Sequence, residues 1–254
     1  TPVCQGQPAT HVGVPGEILT ATEGPDVIVS NSARLVEAGA GADLICLTGE
    51  GSQVRLMAGA GDDDVHVSPD VRQVEGQLGA GADRYAALGA TRNSLYAGDT
   101  MGDDEADVIT TGSGDDDITT GQEGADNADQ INLGAGNDNI EWFGVQVAPG
   151  FVRDVENTAF HDYEGDVSLD AQQGTLTVNA KLITRLGTLR YIYFANREPG
   201  GSFTYTGSST ADQLRLQTHP DSTHQVNMGR GEDVLVIDAV AQGQRQHTHT
   251  GQLH

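Results

Sequence analysis

Aspartates preceded by closely spaced glycines recur along the chain, in a pattern that could bind a hard metal cation. The best copy is Ala58–His66, which reads AGAGDDDVH. Glycine permits the positive φ of a tight turn and lets backbone carbonyls approach an ion closely. Aspartate adds a carboxylate, and calcium prefers carboxylate and carbonyl oxygens. The motif therefore predicts a calcium-binding turn. Similar copies occupy Ala38–Cys46, Leu78–Ala86, Thr111–Thr119, Leu133–Glu141 and Met228–Val236, and weaker copies surround Asp26, Asp107, Asp129 and Asp212.

Short strands must hold these turns in place. In the best copy Asp63 is followed by the alternating run Asp64-Val65-His66, so only Val65 points to one side of a strand. One such unit cannot bury its apolar face alone. The units are therefore expected to stack into a solenoid with a narrow core of Val, Ile and Leu.

The spacing of the aspartates predicts the length of each coil. Asp26, Asp43, Asp63 and Asp83 follow one another at intervals of 17, 20 and 20 residues, whereas Asp107 to Asp129 and Asp116 to Asp138 are each 22 residues. Coils of about 20 residues, with two strands and two turns each, fit these intervals. The turns opposite the first four motifs lack the pattern. Acidic turns are thus expected on one edge of the first coils and on both edges of coils 107–142.

This Gly-x-Gly-x-Asp-x-apolar-x unit resembles the nonapeptide of the haemolysin-type (RTX) calcium-binding repeats. The resemblance covers residues 25–142 and implies an all-β, right-handed parallel β-roll or β-helix solenoid with calcium-binding turns. It also implies a secreted protein whose folding is coupled to several calcium ions. The expected metal ligands are Asp26, Asp43, Asp62, Asp63, Asp83, Asp107, Asp115, Asp116, Asp129, Asp138 and Asp233, together with Gly39, Gly41, Gly59, Gly61, Gly79, Gly81, Gly112, Gly114, Gly134 and Gly136.

In a ladder of this type each ion would lie between the turns of adjacent coils. One aspartate would come from below and one from above, and turn carbonyls would complete the shell. The pairs expected to share ions are Asp43 with Asp63, Asp63 with Asp83, Asp107 with Asp129, and Asp116 with Asp138.

The charge of the chain argues against nucleic acid as a partner. There are 37 acidic and 13 basic residues, and the formal net charge is −24. Duplex nucleic acid is not an expected partner, because its recognition requires a basic patch.

No apolar run approaches the roughly 18 residues that a membrane-spanning helix needs. Calcium sites of this kind fill where free calcium is millimolar, so an extracellular location is expected.

The two cysteines, Cys4 and Cys46, are predicted to form a disulfide if the protein matures in an oxidising compartment. The bond would tie an N-terminal cap, residues 1–24, to the second coil. The alternative is that Cys46 is buried in a strand and Cys4 remains a free thiol.

Beyond residue 142 the composition changes. Trp142–Thr206 holds the only tryptophan, and the alternating runs Thr175–Val178 and Leu189–Phe194 still indicate strands. Residues 143–240 are therefore predicted to continue as a less regular, calcium-poor β-helix in which aromatic side chains fill the core. Residues 241–254 are predicted to be a flexible tail.

Two functions remain open from the sequence. The first is a structural, adhesive or surface-associated calcium-binding solenoid, with extracellular polysaccharide or a cell surface as partner. The second is a calcium-dependent polysaccharide lyase or epimerase with a site near residues 181–205. Such an enzyme needs a cation to neutralise a uronate carboxylate and a base near the sugar carbon. The candidate catalytic residues are Lys181, Arg185, Arg190, Tyr191 and Tyr193. The alternative is that these side chains only decorate strands.

Overall fold

The computed structural model describes residues 1–98, 105–122, 124–145, 147–150, 152–161, 165–196 and 199–239. Within these ranges every regular element is a β-strand, and the strands form a parallel β-solenoid of about 10 turns. None of the described residues belongs to a helix long and apolar enough to cross a membrane. The predicted tail 241–254 lies outside the described residues.

Two long sheets form the walls of the solenoid, and the other strands lie in a two-stranded sheet near the N-terminus and a five-stranded sheet in the C-terminal part. The strands are β1 (Val3–Cys4), β2 (Gln7–Pro8), β3 (His11–Val12), β4 (Ile18–Thr20), β5 (Val27–Val29), β6 (Leu35–Glu37), β7 (Leu44–Leu47), β8 (Gln53–Ala60), β9 (Asp64–Val67), β10 (Gln73–Ala80), β11 (Arg84–Ala87), β12 (Arg92–Ala97), β13 (Val108–Thr111), β14 (Asp117–Gly121), β15 (Gln130–Asn132), β16 (Asn139–Phe143), β17 (Val152–Arg153), β18 (Asn157–His161), β19 (Asp166–Asp170), β20 (Thr175–Val178), β21 (Lys181–Arg185), β22 (Tyr191–Asn196), β23 (Ser202–Thr206), β24 (Gln213–Thr218), β25 (Thr223–Asn227) and β26 (Val234–Ala239).

The chain alternates between these walls as it winds. The eight-stranded sheet has the order β3-β5-β7-β9-β11-β13-β15-β17, and the eleven-stranded sheet runs β4-β6-β8-β10-β12-β14-β16-β18-β22-β24-β26. Each pairing within them is parallel and joins equivalent residues of successive coils, such as Val65 with Ile45 and Tyr85. A coil with one strand in each wall is the architecture that the repeat spacing predicts.

The core is a single column of apolar side chains between the walls. Ile28, Ile45 and Val65 are completely buried and stack in the eight-stranded sheet. Val36, Leu56 and Leu95 form part of the opposite layer. Because strand alternation places only every second residue inside, each coil adds only a few side chains to the core. Stability therefore depends on the contact between neighbouring coils.

The C-terminal part departs from simple coiling. Trp142, Phe160, Phe194 and Phe203 are buried, in agreement with the aromatic core expected there. However, β19, β20 and β21 form an antiparallel meander, and β19 then pairs in parallel with β23. Residues 166–185 thus run antiparallel within a solenoid whose wall strands pair in parallel. The meander belongs to a five-stranded sheet, β21-β20-β19-β23-β25.

The predicted disulfide between Cys4 and Cys46 is confirmed, and it joins β1 to β7. Both sulfurs lie in a small apolar cluster with Val29, and Ala9 packs against it. The bond holds the N-terminal cap against the third strand of the eight-stranded sheet. An end coil has a neighbour on one side only, so it gains most from such a crosslink.

Replacement of both cysteines by serine is expected to loosen this end of the solenoid. The bond closes a segment with a sequence separation of 42 residues, for which loop-closure entropy suggests about 4 kcal/mol. Amide hydrogen exchange in β3 and β5 should therefore accelerate by up to roughly a thousandfold, while exchange in β24 stays constant. Equal exchange rates in β3 with and without the bond would contradict this account.

Candidate functional site

The acidic turns form a continuous row along one edge of the solenoid. This first aspartate ladder consists of the residues that precede β5, β7, β9, β11, β13 and β15. In each step the backbone N–H of one aspartate donates to Oδ1 of the aspartate one coil further on. The N–H of Asp43 donates to Asp63 over 2.9 Å, and the N–H of Asp63 donates to Asp83 over 2.8 Å. The members are Asp26, Asp43, Asp63, Asp83, Asp107 and Asp129.

A second ladder runs along the opposite edge, before strands of the eleven-stranded sheet. Asp116 accepts the backbone N–H of Asn93, and the N–H of Asp116 donates to Oδ1 of Asp138 over 2.9 Å. Glu156 continues the row, since its Oε2 accepts the N–H of Asp138 at 2.9 Å. The predicted arrangement, acidic on one edge at first and on both edges later, therefore matches the positions of these side chains. Asp233 accepts the N–H of Asp212 in the same way at 3.0 Å.

Threonine hydroxyls close both ends of the first ladder. Asp26 accepts Oγ1–H bonds from Thr22 at 2.6 Å and Thr10 at 3.0 Å. Burial alone would raise the pKa of the Asp26 carboxyl, but the bonds from Thr22 and Thr10 lower it. At the other end, Oδ2 of Asp129 accepts a hydrogen bond from Thr120. The end carboxylates are thus satisfied by the protein itself.

Three carboxylates inside the ladders are buried, and only one oxygen of each has a hydrogen-bond partner among the described residues. Asp43, Asp63 and Asp138 are at most 2% exposed, and Oδ2 of each has no hydrogen-bond partner among the described residues. A buried carboxylate oxygen without a partner is unfavourable when it is charged. Burial accordingly raises the pKa of Asp63 to about 6 and that of Asp138 to about 7, and the neighbouring ladder aspartates add to both increases. Burial also raises the pKa of Asp43 and of Asp116.

The glycines of the motif let the turns stack at backbone contact. A Cβ on Gly59 would lie 1.9 Å from the carbonyl oxygen of Gly39, and a Cβ on Gly61 would lie 2.3 Å from that of Gly41. Gly59 and Gly61 also have φ values of +116° and +123°. The close approach of carbonyls at the predicted positions is therefore present. The Gly39 carbonyl accepts the N–H of Ala60 at 3.2 Å, and its second lone pair could still bind a cation.

The same close stacking recurs at the other predicted glycines. Added Cβ atoms there would come within 2.4 Å of a backbone carbonyl oxygen one coil below, or of a turn carbonyl in the case of the first motif. These glycines are Gly39, Gly79, Gly81, Gly112, Gly114, Gly134 and Gly136; Gly41 is similar, since its Cβ would meet backbone atoms of Gly24 and Pro25 at 2.7 Å.

The flanking aspartates point to the outside of the turns. Asp62 is exposed and its Oδ1 accepts the N–H of Ala82 at 3.0 Å, and Asp115 accepts the N–H of Asn137 at 2.9 Å. Asp64 lies 3.1 Å from Nε2 of His66 on the strand surface. Asp62 and Asp115 therefore strengthen contacts between coils at the rim, while the buried carboxylates lie beneath them.

The ligand geometry limits what the ladders could bind. No group of three or more His, Cys, Asp or Glu side chains suited to a metal occurs among the residues that the structure describes. Each coil offers at most one buried carboxylate per edge. A cation here would thus be held by carboxylates of adjacent coils together with backbone carbonyls, a donor set that calcium accepts and transition metals do not favour.

The predicted catalytic residues are divided between two sheets. Lys181 and Arg185 lie on β21 of the five-stranded sheet, whereas Tyr191 and Tyr193 lie on β22 of the eleven-stranded sheet. Arg190 immediately precedes β22. A shallow hollow on the outer face contains both tyrosines, but it is completed by Asn139, Glu141, Ala159 and Arg215. Arg215 and Glu141 could not be selected from the sequence, because they lie 22 or more residues from the tyrosines along the chain.

Sequence reasoning also missed the non-aspartate members of the ladders. Asn93 occupies an aspartate position in the second ladder, and its amide donates to Oδ1 of Asp116 over 2.8 Å. The hydroxyl of buried Tyr85 donates to Asn93 over 2.6 Å. The 23-residue interval from Asn93 to Asp116 was the available signal, because it matches the length of the neighbouring coils.

Comparison with known proteins gives no relative for this chain: no protein-family model, no curated protein and no solved structure matches it.

The metal-free protein is expected to lose stability as the pH rises from about 4 to about 7. Folded-state pKa values of about 6 for Asp63 and about 7 for Asp138 exceed the ordinary value of 3.8. In this window the folded chain binds more protons than the unfolded chain, so deprotonation favours unfolding. The stabilisation is fully present below the unfolded value and is lost as the pH passes each folded value.

Thermal melts of metal-stripped protein across this range would test the effect. Asp63→Asn and Asp138→Asn should each flatten the dependence, because they remove one titrating group. The Asp64→Asn control changes an aspartate outside the buried row and should leave the slope unaltered. A melting temperature that rises between pH 4 and 7 would contradict the burial argument.

Proposed function

We propose that the chain is a secreted calcium-binding solenoid with a structural or adhesive role, and that calcium stabilises its folded state. The observation that carries this proposal is the row of buried carboxylates whose second oxygen lacks a hydrogen-bond partner, at Asp43, Asp63 and Asp138. A divalent cation between coils would satisfy these oxygens and offset the repulsion between neighbouring carboxylates.

The chemistry of the turn supports calcium over other cations. The donors are carboxylates and backbone carbonyls, which are hard oxygen ligands. Carbonyls stacked at backbone contact, as at Gly39 and Gly59, leave room for an ion only where no Cβ intrudes. Magnesium fits less well, because it requires near-ideal octahedral geometry and gives up its waters reluctantly.

Two further features support an extracellular role. The disulfide between Cys4 and Cys46 is of the kind that persists in oxidising compartments. Sites with few carboxylates, completed by backbone carbonyls, are weak, and weak sites fill at the millimolar calcium of extracellular fluids. The stack of coils presents two long sheets, of eleven and eight strands, which suit a structural or surface-associated protein.

Calorimetric titration of the metal-stripped chain with calcium tests the proposal. More than one ion per chain should bind, with dissociation constants of roughly 10⁻⁴–10⁻³ M. Magnesium at equal concentration should release little heat. The absence of bound calcium at several times the upper concentration would overturn the proposal and leave the ladders as protonated, purely structural rows.

A further inference from the structure

The outer face of the eleven-stranded sheet carries a hollow that the aspartate ladders do not involve. It has a volume of about 230 Å³ and is lined by Asn139, Glu141, Ala159, Tyr191, Tyr193 and Arg215. These side chains come from four successive strands, β16, β18, β22 and β24. Each points outward, because the residues that alternate with them, such as Ile140 and Ile192, are buried in the core.

A small residue in the middle of one row creates the hollow. Glu141, Ala159 and Tyr193 are register partners on adjacent strands. Neighbouring strands lie about 4.8 Å apart, so the backbones that carry Glu141 and Tyr193 are separated by about 9.6 Å. Only the Ala159 methyl group lies between them. The space is suited to one ring-sized group rather than to a large ligand.

Tyr193, at the edge of the hollow, is held in a fixed position. Its hydroxyl donates to Oε1 of Gln217 over 2.9 Å, and His161 lies 5.2 Å from its ring. The guanidinium of Arg215 lies 5.8 Å from the ring centroid on the neighbouring strand. On the other side the register partner of Tyr193 is Ala159. A ligand in the hollow would therefore meet an aromatic ring that needs no rearrangement.

The guanidinium at the edge of the hollow already has a partner. Nε of Arg215 donates to Oδ2 of Asp238 over 2.7 Å. Oε1 of Glu141 lies 3.4 Å from Nε2 of His161, a contact that is an ion pair only when the imidazole is protonated. An anionic ligand would have to compete with Asp238 for Arg215. An uncharged ligand with several hydroxyl groups would not, since carboxylate oxygens and guanidinium N–H groups retain further hydrogen-bonding positions.

We infer that this hollow binds a neutral sugar ring of a glycan. The polarised C–H groups of a pyranose pack against the electron-rich face of an aromatic ring such as Tyr193. Its hydroxyls match an acceptor, Glu141, and a donor, Asn139, on β16, and a second donor, Arg215, on β24. Tyr191, on the same face two residues from Tyr193, extends the platform to a neighbouring sugar unit.

The arrangement favours binding rather than cleavage. A lyase would need an uncommitted base and a free cation beside the substrate carboxylate. Here the Tyr193 hydroxyl is committed to Gln217 and Arg215 is paired with Asp238. This inference rests on the adhesive part of the proposed function and names its ligand class. It does not require calcium in the hollow.

Calorimetric titration of the calcium-loaded protein with cellohexaose and with maltohexaose tests the inference. At least one of these neutral oligosaccharides should bind weakly. Tyr193→Ala should weaken that binding by tenfold or more, and Ala159→Leu should abolish it by filling the hollow. Tyr96→Ala is the matched control: Tyr96 is a more exposed tyrosine on β12 of the same sheet, outside the hollow, and its loss should leave binding unchanged.

Circular dichroism of each variant confirms that the fold is retained. If neither sugar binds to folded protein, if Ala159→Leu binds as the parent does, or if only acidic oligogalacturonates bind or are cleaved, the inference is overturned. These outcomes are separable from those that concern calcium. Calcium binding without sugar binding overturns this inference alone, whereas sugar binding by a chain that takes up no calcium overturns the proposed calcium role alone.

Discussion

Removal of calcium by a chelator at neutral pH is expected to abolish most of the β-sheet circular dichroism signal, and renewed addition of calcium is expected to restore it. In the unfolded chain, in water, the carboxyl groups of Asp43, Asp63 and Asp138 are charged at neutral pH. In the folded chain they are buried, and burial raises their pKa. Without a cation, the repulsion between coils and the desolvation of these groups both oppose folding.

The size of the effect follows from mass action. At millimolar calcium, an ion with a dissociation constant of about 10⁻⁴ M stabilises the folded state by about 1.4 kcal/mol. Several such ions together approach the roughly 5–15 kcal/mol by which ordinary domains are stable. The loss of all of them should therefore unfold the coils that carry the ladders. Because each coil contacts only its neighbours, the loss should spread through the stack.

Two control conditions, magnesium in place of calcium and acid without any metal, make this measurement specific. Magnesium in place of calcium should restore little signal, for the geometric reason given above. Acid should restore part of the signal without any metal, because protonation removes the charge on the same carboxylates. A spectrum and a melting temperature that do not change in chelator at neutral pH would refute the coupling of folding to calcium.

The repeat positions allowed much of the N-terminal half to be predicted. Counterparts of Asp63 and Val65 recur at corresponding places in the regular coils, because the turn requires glycine and the core requires an apolar residue. The interval between motifs therefore determines the coil length, and the coil length determines which strands pair. The disulfide was predictable for a related reason, since two cysteines and an end coil leave few alternatives.

The C-terminal half was less predictable, because alternation alone does not give strand direction. Thr175–Val178 shows the same period in a parallel and in an antiparallel sheet. The direction is decided by the turns that flank the strand. Asn179 and Ala180 take positive φ values and reverse the chain between β20 and β21. No glycine–aspartate motif marks that reversal in the sequence.

The partners within each site were hidden for a different reason. Thr22 and Thr120 close the first ladder, and neither belongs to the motif. The hollow on the outer face depends on Ala159 lying between Glu141 and Tyr193, which is a relation across coils. Those coils differ in length because β19–β21 are inserted between β18 and β22. The insertion had to be known before the register could be assigned.

Substitution of Asp63 by alanine is expected to remove two calcium ions from the chain, while Asp64→Ala should remove none or nearly none. Asp63 lies between Asp43 and Asp83 in the first ladder, and its carboxylate is 1% exposed. An ion above it and an ion below it would both lose a ligand. Asp64 is the next residue, yet its side chain is on the strand surface beside His66.

The adjacent aspartates make the comparison a test of register as well as of binding. Both variants lose one negative charge, so a general electrostatic attraction for calcium would affect them equally. Calcium counts by calorimetry or native mass spectrometry, on protein checked for folding at saturating calcium, separate the two explanations. Asp26→Ala should fall between them, because the hydroxyls of Thr22 and Thr10 already occupy that carboxylate. If Asp64→Ala loses as much calcium as Asp63→Ala, the ions do not lie within the buried row, and the ladder serves only to hydrogen-bond one coil to the next.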